Sequence, residues 1–130
     1  TDHETALMEN LVFRSACLKQ SNFQGLDLKH TDFSYADMEN AFFGSADLSE
    51  ADLCHARAQK TQFRKAVLTN AKLDNINLDQ GSLAKADLAG ASFVSANLHG
   101  VDFLRANLYQ TDFTAANLDM TLLEHWRPKQ

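Results

Sequence analysis

From Ala6 to His125 the chain repeats every five residues, 24 times in succession, with no insertion or deletion. With Phe13, Leu18, Phe23 and every fifth residue as centres, those centres are 13 Leu, 8 Phe, 2 Met and one Ala. A small residue stands two places before each centre, Ala in 14 of 24 cases and otherwise mostly Thr, Ser or Gly. Asp or Asn stands one place before it in 13 of 24. The segments ADLSE (46–50), ADLCH (51–55), ADLAG (86–90) and ANLYQ (106–110) carry the pattern most cleanly. A fixed period of this kind constrains architecture more than any local propensity does.

Five fits neither of the plain templates, since a helix needs apolar positions at i, i+3 and i+4 and a strand needs alternation. Here two inward positions, i−2 and i, are followed by three that tolerate polar residues. A chain that runs briefly extended, turns a corner and starts again meets this requirement. Asp or Asn before the centre suits a side chain that bonds nearby backbone around a tight bend.

Tandem A(D/N)LXX units resemble the pentapeptide-repeat family, over 120 of the 130 residues. The resemblance implies a right-handed, quadrilateral (four-sided) parallel β-helix, one pentapeptide per side and twenty residues per coil, hence about six coils here. The Phe positions support four sides independently. Phe13, Phe33, Phe93 and Phe113 fall in one column of a twenty-residue coil, and Phe23, Phe43, Phe63 and Phe103 in the opposite one. A fifteen-residue coil would scatter them. Neighbouring coils are expected to pair like parallel strands about 4.8 Å apart, giving a rod roughly 25–30 Å long. Residues 1–5 and 126–130 read as short tails around a single domain spanning 6–125.

Large residues at the small position, at Leu11, Leu26, Ile76 and Val101, are expected to widen the tube or rotate outward, because overfilling a core is costly. Ala58 has the opposite defect. An unfilled gap there would cost about 2–5 kcal/mol, and Met38, one coil earlier in the same column, is expected to lean into it.

The faces begin at residues 6, 11, 16 and 21 and recur every twenty. On this map His30, His55, His99 and His125 lie on four different faces, and Cys17 and Cys54 on different faces and coils. A zinc site requires several convergent ligands, so no metal or other cofactor is expected. Two cysteines do not make a disulfide framework and suit reduced thiols in a cytoplasmic chain. No G-x-S-x-G or glycine-rich phosphate loop occurs, and a convex rod has no cleft, so the chain is not expected to be an enzyme. There is no apolar run of the length that spans a membrane. The net charge of −5 argues against direct nucleic-acid binding.

Surface remains. Charges sum to −4, −2, −1 and +2 on faces one to four. Face one carries Glu9, Asp27, Asp47, Glu50 and Asp87 against Lys29. On face four, Lys65, Lys85 and Arg105 occupy one slot of successive coils, beside Arg64 and against Asp102 and Glu124, with Phe42 and Leu104 outward nearby. Two readings stand: a solvated face, or a partner surface of the cation-and-aromatic kind found at binding hot spots. Trp126 either covers the last coil or takes part in end-to-end self-association. The function expected is a non-catalytic protein-interaction or scaffold domain with a protein partner, as one module of a larger bacterial protein. The alternative implied by the family is a DNA mimic that binds DNA gyrase and confers quinolone or toxin resistance. Against it stand the low net charge, the basic face and the loss of acidity at Val67 and Asn107.

Overall fold

A computed structural model describes residues 11–123. The chain winds as a four-sided coil in which each pentapeptide forms one side. Residue i pairs in parallel with residue i+20 throughout, from Val12 with Asp32 to Asp102 with Leu122. Each side contributes a single bridging residue rather than a run of strand, because a turn follows after only three extended positions. In that respect the coils do not pair as strands of ordinary length.

The corners explain the period. At each one the N–H two places before a centre donates to the preceding centre's carbonyl, as Ala36 does to Phe33 at 3.1 Å and Ala46 to Phe43 at 3.0 Å. The third residue of every turn has positive φ, between 56° and 72°: nineteen non-glycine residues and Gly25, Gly90 and Gly100. One positive φ at that position is the signature of a type II turn. Three further bonds per side tie coil to coil. For face two, Phe33 N–H donates to the Asp52 carbonyl (2.7 Å), Tyr35 N–H to Cys54 (3.0 Å), and Asp52 N–H back to Thr31 (3.0 Å).

The interior is a stack of Leu and Phe centres over small residues, closed from about residue 31 to 103 and half-open in the first and last described turns. The Phe columns form ring stacks, Phe23 on Phe43 at 4.9 Å and Phe43 on Phe63 at 5.1 Å. Neighbouring columns meet edge to face, as Phe33 and Phe43 do at 5.4 Å and 88°, the arrangement the ring quadrupoles favour.

Ile76 (1% exposed) and Val101 (0%) correct the expectation of outward rotation. The inter-coil bond beside Ile76, Asn77 N–H to Ala56, keeps an ordinary 3.0 Å, whereas that beside Val101, Asp102 N–H to Gly81, is the longest of its kind among the described residues at 3.2 Å. Both side chains are taken into the core at the position that elsewhere holds a small residue. Gly81 is itself required, since a Cβ there would lie 2.5 Å from Leu78 Cδ1 and 2.9 Å from the Thr61 carbonyl. Leu26 stays packed on the core while half-buried, with a turn bond to Phe23 of 3.3 Å.

Candidate functional site

Every Asp or Asn that precedes a described centre accepts a bond from the N–H two residues on, at 2.9–3.4 Å; these residues are Asn22, Asp27, Asp32, Asp37, Asp47, Asp52, Asn77, Asp87, Asn97, Asp102, Asn107, Asp112 and Asn117. A following hydroxyl strengthens the arrangement, as Ser34 does with Asp32 and Ser49 with Asp47, both at 2.6 Å. These are Asx turns, which satisfy a backbone donor at the bend. Most of the acidity of the rod is thereby engaged in its own corners.

The carboxylates also find partners in adjacent coils. Lys29 Nζ lies 3.3 Å from Asp27 and 3.7 Å from Asp47. Arg14 Nη2 reaches Asp32 at 2.8 Å and Lys19 reaches Asp37 at 3.6 Å. Asp87 Oδ1 takes the Asn107 amide at 3.1 Å. His30 lies 3.6 Å from Glu50, and His99 2.6 Å from Asp79. His55 stacks flat on Tyr35 at 4.7 Å. Cys17 and Cys54 are free thiols. Burial, then the Asp52 carboxylate, pushes the Cys54 thiol up to about 11, which leaves little reactive thiolate at neutral pH.

Face four and its corner toward face one differ. Lys65, Lys85 and Arg105 are successive turn residues with φ of 64°, 61° and 64°. Their backbone is held by the inter-coil bonds of Lys65 to Ala84 (2.9 Å) and Lys85 to Leu104 (2.8 Å), so their exposed side chains project from a fixed row. Arg64 adjoins the row and is also exposed. None of the four makes an ion pair among the described residues. Their mutual proximity is felt electrostatically: Arg64, then Lys65, and more weakly Arg105, hold the Lys85 ammonium below its usual value.

Phe42 (43% exposed) and Leu104 (37%) stand outward on this face as expected. Leu122, exposed to 51%, continues the column of Phe42, Gln62, Ser82 and Asp102 and went unremarked in the sequence, although its position in the column is readable there. Between the two apolar ends the face carries Gly44, Ser82 and Ala84 together with Gln62, Arg64 and Asp102. The structure thus brings Arg64, Lys65, Lys85 and Arg105 together beside Leu104, with Phe42 one coil below Lys65. Trp126 lies outside the described residues.

Family and structural comparisons agree with this geometry. A model of pentapeptide repeats matches residues 6–44, 46–83 and 82–119 in eight copies. No curated protein matches the chain significantly. Among solved structures, the pentapeptide repeat protein Rfr23 from the cyanobacterium Cyanothece 51142 is similar with a TM-score of 0.72 and 25% identity, over 89% of this chain and 90% of that one. A trypsin-treated variant of QnrB1, a plasmid-mediated fluoroquinolone resistance protein, is similar with a TM-score of 0.64 and 22% identity, over 90% and 79%. A second treated variant of QnrB1 gives 0.51 and 26%, over the same shares. The fold shared with these proteins is the right-handed quadrilateral β-helix.

Proposed function

The chain belongs to the pentapeptide-repeat family, and from that premise we propose that it is a non-catalytic protein-binding rod whose contact surface is face four. The observation that carries this reading is the row of Lys65, Lys85 and Arg105 with Arg64, left without ion-pair partners among the described residues while the carboxylates around it are engaged. Like charges held side by side oppose folding slightly, whereas a partner that supplies carboxylates turns the same row into an attraction. Phe42 and Leu104 would add apolar contact at its ends. The functional unit in this proposal is residues 6–125, about six coils with short tails, working in the cytoplasm as an accessory module of a larger protein.

The test is affinity capture with the wild-type chain and with Arg64, Lys65, Lys85 and Arg105 all changed to Glu, both checked for folding by circular dichroism. A partner recovered by the wild type, lost with the variant and bound directly by the purified wild-type chain supports the reading. Equal recovery by both removes face four from it.

The likeness to QnrB1 favours a second reading, in which the acidic column presents phosphate-like charge to DNA gyrase. The engagement of Asp27 and Asp47 by Lys29 weakens it, and Val67 interrupts the column. A gyrase supercoiling assay with neither inhibition nor protection from a quinolone across a wide concentration range would end it.

A further inference from the structure

We propose that face four accepts an acidic amphipathic α-helix lying along the axis of the rod, an inference that rests on the reading of this face as a docking surface. The argument is one of pitch. Stacked rings in successive coils lie 4.7–5.4 Å apart, in keeping with a coil spacing of about 4.8 Å. Lys65 to Arg105 therefore spans two steps, about 10 Å. On an α-helix, carboxylates at i, i+4 and i+7 share one stripe and span about 10.5 Å at 1.5 Å per residue. An extended segment offers same-side carboxylates only every second residue, so its three would span about 13 Å and fall out of step with the row. Helical pitch matches the row more closely than extended pitch does.

The apolar ends agree. Phe42 and Leu104 are three coil steps apart, about 15 Å, the rise of ten or eleven helical residues. The surface between them carries Gly44, Ser82 and Ala84 together with Gln62, Asp102 and Arg64, the last adding a cation beside the row. An apolar stripe beside an acidic one is what this face complements, with charge setting orientation.

The experiment uses three fluorescein-labelled peptides of equal length and net charge and the full chain, read by fluorescence anisotropy. The first is helical, with Glu at i, i+4 and i+7 and Leu on the flanking stripe. The second has its helix broken by a central Pro. The third alternates Glu and Leu in extended register. We expect the helical peptide to bind and the other two to bind at least tenfold more weakly. Lys85→Glu and Phe42→Ala should each weaken the helical peptide several-fold, and added salt should weaken it further. Broken or extended peptides binding within threefold of the helical one would overturn the helix while leaving the docking surface in place. Absence of helical-peptide binding at millimolar concentration, or binding unaffected by Lys85→Glu, would overturn the proposal. In those cases the capture experiment above decides separately whether face four docks anything.

Discussion

The acidic faces and the basic corner of this rod are built on the same repeat and use their charges in opposite ways. On faces one and two, Asp27, Asp32, Asp47, Asp52 and Asp87 each cap a turn, and several also meet a cation or amide from another coil. At the corner of face four the cations cap nothing, and the charges felt at Lys85 are those of Arg64, Lys65 and Arg105. Sign and number of charges are therefore poor guides to a binding surface on a repeat protein. What distinguishes the two regions is whether each charge already has a structural task.

The largest difference should appear in binding. Reversing Arg64, Lys65, Lys85 and Arg105 together should reduce affinity for the helical acidic peptide by more than about a hundredfold, roughly 2.7 kcal/mol. The urea midpoint of the same variant should barely move. A large loss of stability would mean that the basic corner is structural after all.

Removing a turn carboxylate should do the reverse. Asp32→Ala or Asp47→Ala strands the amide and hydroxyl of Ser34 or Ser49 and should cost about 1–2 kcal/mol in urea unfolding. Asn in place of Asp keeps an acceptor at the same position and should restore most of that loss. Peptide affinity should be unaffected by either change.

Acid should separate the regions next. Burial alone would raise the Asp32 carboxyl, but bonds from the Ser34 hydroxyl and amide and from Arg14 outweigh it and hold the group below its usual 3.8. Bonds from Thr114 lower Asp112 in the same direction. A carboxyl lowered in the folded state contributes stability that is present above its unfolded value and disappears as pH falls through the folded one. The urea midpoint should stay level near neutrality and decline below about pH 4. Asp32→Asn should flatten that decline; an unchanged slope would deny the carboxylate its part.

The smallest effect should be at Lys85. Lys85→Gly relieves both the positive φ of 61° and the repulsion from its neighbours. A slight rise in urea midpoint at low salt, shrinking as salt screens the charges, is expected. A fall would show that the lysine stem contributes packing.

Much of the fold is legible in the residues. The spacing of Phe13, Phe33, Phe93 and Phe113 and its counterpart from Phe23 to Phe103 encode the four sides, because a side chain can stack only on one a full coil away. The Asp and Asn positions announced the turns, since a short acceptor at a bend has few other uses. Positive φ at every corner was less visible. Gly25, Gly90 and Gly100 and Asn40, Asn70 and Asn75 stand in that slot, yet His, Lys, Tyr and Met occupy it too. Inter-coil bonds hold those residues there against their own preference. Ile76 and Val101 depart from the expectation because the stacked coils keep even a larger aliphatic side chain inside, which the repeat pattern alone does not reveal.

The sequence by itself determined the period, the number of sides, the residues facing inward and the rows in which Lys65, Lys85 and Arg105 stand. These depend on repetition, and repetition is written in the chain. Only the tertiary structure decided which charges are engaged and which are left. Ion pairing and turn capping depend on distances of a few ångströms between coils, and the same carboxylate can face water, a backbone amide or a lysine without any change in the repeat that carries it.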